Sequence, residues 1–280
     1  MSLPSHVGVY GGGRMGVGIA HIFLVGGSRV TIVESDDDSA RHAQAAVTSS
    51  LVKAYERGTL HDDVDGVLNR LRVTTDCGAL TDVLLVIEAV PEVSQLKVEV
   101  LTAAAAVAPD AILATNTSSL SIDEIASQLP DPTRFLGLHF FNPVPSSDLV
   151  EIVVGRQTGA DLVVSARQWI TDLTRTAITV TDTPGFASSR LGVALALEAI
   201  RMVEEGVATV GDIDTAMMLG YRHPTGPLRT TDIVGLDIRL AIAEQLAREL
   251  GPRFEPPQLL REKVAAGELG RKTGKGFYEW

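Results

Sequence analysis

A glycine-rich turn near the N-terminus constrains the fold of this chain more than any other feature of its sequence. The stretch HVGVYGGGRMGVGIAHIFLVGGSRVTIVES runs from an apolar strand through three consecutive glycines into a helical apolar stripe, and then into a second apolar strand. Gly11, Gly13 and Gly16 satisfy the pattern G-x-G-x-x-G, with Arg14 and Met15 before the last glycine. This order predicts the first βαβ unit of a parallel sheet.

The rest of the chain shows two successive patterns. Up to about residue 183, short apolar strands alternate with helical segments, and three of these strands (LRVTTD, DVLLVIEAV and AILATNTSS) are expected to be buried. After Pro184 and Gly185 the apolar residues recur with helical period only. We therefore predict an α/β fold: an N-terminal Rossmann-type, doubly wound, mainly parallel sheet at residues 1–183, followed by an all-helical C-terminal domain at residues 184–280.

The glycine turn is typical of a dinucleotide site. Gly11 permits the tight turn, Gly13 lets the backbone approach a pyrophosphate, and Gly16 lets helix and strand pack closely. Glu34 ends the predicted second strand, 23 residues after Gly11. A carboxylate there accepts hydrogen bonds from a ribose diol and repels a 2′-phosphate, which favours NAD over NADP. The alternatives are a turn that binds nothing, and a flavin site, for which the chain lacks an obvious second binding region.

Charge and cysteine content argue against several kinds of partner. The net charge of −11 disfavours nucleic acid and anionic membranes, because phosphates would be repelled. No apolar run reaches the roughly 20 residues of a transmembrane helix, and no signal peptide is expected. A single cysteine, Cys77, allows no intramolecular disulfide and is typical of a reducing, cytoplasmic compartment. We expect no metal cofactor.

Polar residues at the ends of predicted strands suggest a site for hydride transfer. Ser118, His139 and Glu151 each lie at the end of a predicted strand, and Glu151 follows His139 by twelve residues. Ligands bind at the carboxyl ends of strands in open α/β sheets, so we expect these side chains to lie together. An imidazole suits removal of an alcohol proton, a carboxylate can orient it, and a hydroxyl can position the substrate oxygen. The alternative is that His139 is a core histidine with a structural hydrogen bond.

Seven motifs, in order over essentially the whole chain, resemble those of the L-3-hydroxyacyl-CoA dehydrogenase family, in the short bacterial form often called 3-hydroxybutyryl-CoA dehydrogenase. They are GGGRMGVGIA, VIEAVPE, NTSSL, GLHFFNPVP…LVEI, DTPGF, GPLRTTDIVGLD and GRKTGKGFYEW. The resemblance implies a two-domain NAD enzyme that oxidises the 3-hydroxyl of an acyl-CoA to a ketone, as in the β-oxidation of fatty acids. It also implies a homodimer formed through the helical C-terminal domain.

The resemblance also implies roles for single residues. His139 would be the general acid/base, Glu151 its partner, and Ser118 a neighbour of the reacting hydroxyl and the nicotinamide. Further cofactor contacts are implied for Glu92, Lys97, Asn142 and Lys272. Without the resemblance, the three charged residues among these would be interpreted as solvated helix or tail charges.

A CoA site is implied on the helix that follows Glu34. Ser50 and Arg57 fall where the family has a serine and a lysine for CoA, and Lys53 lies one turn away. The alternative is that these residues form a solvated helix face.

The chain departs from the family at two places. Ser189 stands where the family usually has an asparagine that helps to hold the substrate, so we include Ser189 among the catalytic residues. Ser147 and Asp148 replace a large apolar residue and a lysine. Three alternatives therefore stay open beside an ordinary dehydrogenase. They are an enzyme for an unusual acyl chain, a catalytically weakened NAD-binding paralogue with a sensor or structural role, and a sister dehydrogenase for a free hydroxy acid.

Overall fold

The structure of the protein is a computed structural model, and it describes residues 2–280. It contains two compact units that meet at Asp182 and Thr183, one residue before the predicted domain boundary.

An eight-stranded sheet forms the frame of the N-terminal unit. Its strands, in chain order, are β1 His6–Tyr10, β2 Arg29–Val33, β3 Leu71–Thr74, β4 Leu85–Glu88, β5 Ile112–Thr115, β6 Phe135–Phe140, β7 Leu149–Val154 and β8 Thr176–Thr181. They lie side by side in the order β3-β2-β1-β4-β5-β6-β7-β8. Neighbouring strands are parallel except β6 and β7, which are antiparallel.

Six helices complete the N-terminal unit. They are α1 Arg14–Val25, α2 Asp37–Glu56, α3 Val64–Leu68, α4 Ser94–Val107, α5 Ile122–Ala126 and α6 Ala160–Asp172. The long helix α2 begins where the sequence supplies a strong N-terminal signal. Asp36 caps it by accepting a hydrogen bond from the Ser39 amide, and Asp37 and Asp38 place negative charge in its first turn. The short helix α5 was not predicted.

Position in the sheet decides how deeply each strand is buried. The interior strands β4 and β6 are buried along their whole length, as strands with both faces covered must be. The prediction that LRVTTD forms a buried strand was wrong, because β3 lies at the edge of the sheet and its residues are half-buried or exposed. The outer strand β8 is likewise only partly buried.

Strand β1 lies between β2 and β4, and this places the dinucleotide turn. The chain builds the sheet outward from β1 to β3 on one side and then resumes with β4 on the other. The loops after β1 and β4 therefore diverge from the same point at the carboxyl edge of the sheet. In open α/β sheets, this switch point is where ligands bind.

The C-terminal unit consists of helices. They are α7 Ser188–Glu204, α8 Val210–Thr215, α9 Pro227–Val234, α10 Leu236–Leu250 and α11 Gln258–Ala265, with a π-helical segment at Ala216–Gly220. Their apolar faces enclose a core that includes Val193, Leu197, Leu236 and Leu246. Both parts of the predicted fold class, the Rossmann-type sheet and the helical C-terminal domain, are confirmed. No helix within residues 2–280 is long and apolar enough to cross a membrane.

Two buried aspartates attach the chain end to this helical unit. Asp232 accepts hydrogen bonds from the amides of Phe277 and Tyr278, at 2.8 and 2.9 Å, and from the indole N–H of Trp280 at 2.9 Å. Asp214 accepts a hydrogen bond from the hydroxyl of Tyr278 at 2.7 Å. The final motif, GFYEW, is therefore part of the packed unit.

Candidate active site

The glycine turn after β1 has the geometry of a pyrophosphate cradle. Gly11 adopts φ +94°, a conformation that favours glycine. A Cβ at Gly16 would collide with the carbonyl group of Gly11, so only glycine allows helix α1 to start this close to the turn. A Cβ at Gly13 would meet no atom within 4 Å, which leaves open space beside the start of the helix. No side chain caps α1, so its first amides point into that space.

Glu34 completes the cradle on the β2 side. Its Oε1 accepts a hydrogen bond from the Gly12 amide at 2.5 Å, which holds the carboxylate against the turn. Arg14 and Met15 form the first residues of α1 beside it, and Arg14 is exposed. These residues fit a dinucleotide whose pyrophosphate lies at the helix start and whose adenosine ribose lies at Glu34.

A buried lysine connects β4 with the loop that follows it. Lys97 is 1% exposed, and its Nζ lies 2.7 Å from Oε1 of Glu88 and 3.2 Å from Oε2 of Glu92. Glu88 is fully buried, and its Oε2 accepts a hydrogen bond from the hydroxyl of Thr115 at 2.6 Å. Burial raises the pKa of Glu88, although the charge of Lys97 acts in the opposite direction. Lys97 is therefore a buried and paired residue, and not a solvated charge on a helix surface.

Glu92 carries this network into the Ser118 loop. It accepts hydrogen bonds from the Thr117 hydroxyl at 2.6 Å, the Ser118 amide at 3.0 Å and the Ser119 hydroxyl at 2.9 Å. Burial opposes ionisation of Glu92, but Lys97 and these hydrogen bonds outweigh it and hold the pKa of Glu92 below its ordinary value. The loop that presents Ser118 is therefore fixed by a charged carboxylate.

Replacing Lys97 with methionine should lower the free energy of unfolding by about 3–5 kcal/mol, because it leaves the buried Glu88 carboxylate without its cation. Chemical denaturation of the variant measures this loss. In the Glu88→Leu/Lys97→Met double variant, both charges are absent and much of the stability should return. A single-variant loss below about 1 kcal/mol would show that the ion pair does not stabilise this region.

His139 and Glu151 face each other on β6 and β7. Their Cα atoms are paired in the antiparallel register, and Nδ1 of His139 lies 2.7 Å from Oε2 of Glu151. Both side chains are buried, at 7% and 0% exposure. The prediction that Glu151 lies at the carboxyl end of its strand was wrong. It lies in the first half of β7, and the reversal between β6 and β7 brings it beside His139.

Asn116 connects the Ser118 loop with the end of β6. Its Oδ1 accepts a hydrogen bond from the Phe140 amide at 3.0 Å, immediately after His139. Hydrogen bonds therefore join the loops after β4, β5 and β6 at one edge of the sheet. This edge can orient an imidazole, present a serine and hold a dinucleotide, which together are the parts of a site for alcohol oxidation.

Known proteins with similar sequences identify the family to which this arrangement belongs. The model of the 3-hydroxyacyl-CoA dehydrogenase NAD-binding domain matches residues 6–183, and that of the same family's C-terminal domain matches residues 185–280. The chain belongs to the 3-hydroxyacyl-CoA dehydrogenase family. The predicted resemblance, the cofactor NAD and the enzyme class, an NAD-dependent 3-hydroxyacyl-CoA dehydrogenase, are confirmed.

Individual members of the 3-hydroxyacyl-CoA dehydrogenase family are similar over nearly the whole chain. A 3-hydroxybutyryl-CoA dehydrogenase of Mycobacterium tuberculosis is 41% identical over 279 residues, covering 98% of each chain. A probable 3-hydroxybutyryl-CoA dehydrogenase of Deinococcus radiodurans is 40% identical over 275 residues, covering 98% of this chain and 99% of the relative. The crystal structure of the (S)-3-hydroxybutyryl-CoA dehydrogenase of Ralstonia eutropha superposes with a TM-score of 0.95, at 38% identity and 99% coverage of both chains.

The residues expected to bind CoA line a cavity in the N-terminal unit. It measures about 750 Å³ and is bounded by α1, α2, the Asn142–Ser146 segment and the Asp172–Arg175 segment. Four cationic side chains line it, Arg14, Lys53, Arg57 and Arg175, together with one acidic side chain, Asp172, and uncharged polar side chains that include His21, Ser50 and Asn142. Burial, and to a lesser degree Arg175, lowers the pKa of His21 to about 4, so its ring is neutral near pH 7. Its Nδ1 lies 2.9 Å from the Ser50 hydroxyl.

The two remaining site residues lie in the C-terminal unit. Ser189 is half-buried in the first turn of α7. Lys272 places its Nζ 2.6 Å from both carboxylate oxygens of Asp237. Their predicted roles toward substrate and cofactor remain predictions. Asp148, one of the departures from the family, forms an ion pair with Arg175 at 3.2 Å.

Sequence reasoning missed two residues of this site. Glu88 lies within the apolar strand VIEA, and a carboxylate in a strand buried on both faces must have a partner, which was the available signal. Asn116 lies in the quoted stretch ATNTSSL, but nothing in its spacing showed that it would accept a hydrogen bond from β6.

Proposed function

We propose that this chain interconverts L-3-hydroxybutyryl-CoA and acetoacetyl-CoA with NAD, and that His139 is the general acid/base. The observation that carries this proposal is the buried contact of 2.7 Å between Nδ1 of His139 and Oε2 of Glu151. An ionised carboxylate only accepts hydrogen bonds, so Glu151 keeps the proton on Nδ1. Nε2 is then the basic nitrogen of the ring.

In the oxidation, Nε2 of His139 takes the proton of the 3-hydroxyl while the hydride leaves C3. When bound, NAD accepts this hydride. Glu151 stabilises the imidazolium that forms, as the carboxylate of an acid–base pair does. Ser118, held by Glu92, positions the hydroxyl oxygen of the substrate. We assign the substrate carbonyl to Ser189, and the nicotinamide side to Asn142.

The cavity lined by Ser50, Lys53 and Arg57 supports CoA as the carrier of the acyl group. Its cationic side chains can contact phosphates although the whole protein is acidic. A free hydroxy acid carries one carboxylate and no phosphate, so a cavity lined by four cationic side chains favours an acyl-CoA over the alternative of a free hydroxy-acid substrate.

The Glu34→Ser variant tests the cofactor assignment. Glu34 would repel a 2′-phosphate, and like charges in contact cost several kcal/mol. We therefore expect the ratio of kcat/KM for NADH to that for NADPH to fall by about 100-fold in the variant, measured by reduction of acetoacetyl-CoA. Asp37→Ser, which removes an exposed carboxylate of α2 instead, is the matched control. An unchanged ratio in Glu34→Ser would contradict the assignment.

The function itself is tested by NADH oxidation with acetoacetyl-CoA as acceptor, with NADPH in parallel. Rapid turnover with NADH, and none when free acetoacetate replaces the CoA ester, supports the proposal. Turnover of free acetoacetate would support the free hydroxy-acid alternative. Tight NADH binding without turnover of any acyl-CoA would support an NAD-binding protein that has lost the chemistry, and would point to Ser189.

We also propose a cytoplasmic homodimer that associates through the C-terminal unit. Large apolar side chains on this unit are exposed, among them Leu191 at 71%, Leu219 at 69% and Tyr221 at 75%. Apolar surface of this kind is typical of protein–protein interfaces. Light scattering measures the mass of the particle, and a monomer at micromolar concentration would contradict this proposal.

A further inference from the structure

Helix α10 carries a charged residue at a position that normally holds an apolar one. Its buried positions are Leu236, Arg239, Ala243 and Leu246, whose spacing of three and four residues defines the stripe that faces the interior. Arg239 is 8% exposed. A guanidinium at such a position is unusual, because arginine is rarely buried without a partner.

Arg239 has no such partner among residues 2–280. It forms no hydrogen bond or ion pair with them, and its Nε is shielded from solvent without an acceptor. Burial lowers its pKa, yet an arginine keeps its charge at neutral pH. Several other basic side chains of this unit are paired, since Lys272 pairs with Asp237, Lys263 with Glu268 and Arg261 with Glu244. Arg239 is thus a largely buried cation that has no anion beside it among the described residues.

Arg239 lies close to the beginning of α7, the helix that carries Ser189. A Cβ built on Gly192 of α7 would lie 3.6 Å from Nη1 of Arg239, so the guanidinium lies over that turn of α7. Ser189 precedes Gly192 by three residues and therefore lies on the same face of α7, about 4.5 Å away along the helix axis. The Ser189 hydroxyl forms no hydrogen bond within the described chain. The guanidinium of Arg239, from α10, thus lies over the same face of α7 that carries the Ser189 hydroxyl.

We propose that Arg239 binds a carboxylate at the far end of the substrate's acyl chain, so that the preferred substrates are 3-hydroxyacyl-CoA esters of dicarboxylic acids. This inference rests on the proposed function, which places Ser189 beside the reacting part of the substrate. The planar guanidinium fork matches a carboxylate with two parallel hydrogen bonds. An acyl chain that extends from Ser189 past Gly192 brings its terminal group to this fork.

The sites proposed for the other anions of the reaction lie in the N-terminal unit. The start of α1 would hold the pyrophosphate of NAD, and the cations that line the 750 Å³ cavity would hold the phosphates of CoA. The acyl chain is the remaining part of the two reactants that can carry a negative charge. In a dicarboxylic ester it ends in a carboxylate. This distribution of charge favours a carboxylate on the substrate over a phosphate as the ligand of Arg239.

Two CoA esters of equal chain length test the proposal. 3-Hydroxyadipyl-CoA ends in a carboxylate and 3-hydroxyhexanoyl-CoA ends in a methyl group. With NAD, the native enzyme should show at least about tenfold higher kcat/KM for the adipyl ester, because a charged hydrogen-bonding pair is formed with one ester only. In Arg239→Met, kcat/KM for the adipyl ester should fall by about 30- to 100-fold, while the value for the hexanoyl ester changes less than threefold.

Control measurements separate this role from others. Arg248→Met removes an exposed arginine of the same helix and should leave both esters unaffected. The melting temperature of Arg239→Met should stay equal or rise, because an unpaired buried charge is removed. An equal loss on both esters with a lower melting temperature would overturn the proposal in favour of a structural role. A rise in KM for NAD alone would overturn it in favour of a cofactor phosphate.

Binding measured by calorimetry keeps the proposal independent of turnover. Absence of turnover on both esters would refute the proposed function. Tighter binding of the adipyl ester, lost in Arg239→Met, would still support the carboxylate site. Equal binding of both esters to the native protein would refute the site whatever the turnover.

Discussion

The His139→Gln variant should lose about 10²- to 10⁴-fold in kcat for reduction of acetoacetyl-CoA by NADH, which is the range that a positioned general acid/base contributes. Glutamine fills a similar volume but does not exchange a proton near neutral pH. The defect should therefore appear in the chemical step. Steady-state kinetics measure kcat, and a titration of NADH fluorescence measures cofactor binding, which should change less than about threefold.

His42→Gln is the matched control for this variant, since His42 is exposed on α2 and far from the sheet edge in sequence. It should retain full activity. If His139→Gln retained more than about a tenth of the native kcat, His139 would be the core histidine that we weighed as the alternative, and another group would have to take the proton.

The Glu151→Gln variant should show the second large effect, a fall in kcat of about 10²- to 10⁴-fold with little change in KM. A glutamine amide can present its N–H₂ group to Nδ1, which stabilises the wrong tautomer of His139, and it carries no charge to stabilise the imidazolium. Both losses affect the transition state more than the bound substrate. Initial rates over a range of acetoacetyl-CoA concentrations separate kcat from KM.

Two measurements accompany this variant. Its stability should remain within about 1 kcal/mol of the native value, because glutamine is isosteric and replaces a buried carboxylate. Glu124→Gln, at an exposed position of α5, should leave the kinetics unaffected. A Glu151→Gln enzyme with native kcat and a raised KM would assign Glu151 to substrate binding and not to the support of His139.

Local sequence patterns predicted most of the fold, because each strand and each helix of the N-terminal unit has its own short-range pattern of apolar residues. Each parallel strand is a run of apolar residues, each helix carries an apolar stripe, and glycines mark the turn after β1. After Gly185 the apolar residues recur with helical period only, and this change predicted the helical C-terminal unit. What these patterns do not contain is the order of strands in the sheet. For this reason LRVTTD was expected to be buried, whereas its position at the edge leaves it half-exposed.

The candidate site was predictable only in part, and for the same reason. The glycine turn, Glu34 and His139 were recognisable because the chemistry of each depends on a short motif. The contact between His139 and Glu151 required the antiparallel register of β6 and β7. The burial of Lys97 required a carboxylate on a strand that lies nine residues earlier in the chain.

The sequence by itself determined the class of fold, the family and the type of cofactor, because these depend on residue identities at fixed spacings. Only the tertiary structure decided which charges are paired. It placed Lys97 between two carboxylates, and it left Arg239 buried without one. The physical reason is that the free energy of a charge depends on its solvent exposure and on its nearest opposite charge, and both are set by elements that are distant in the chain.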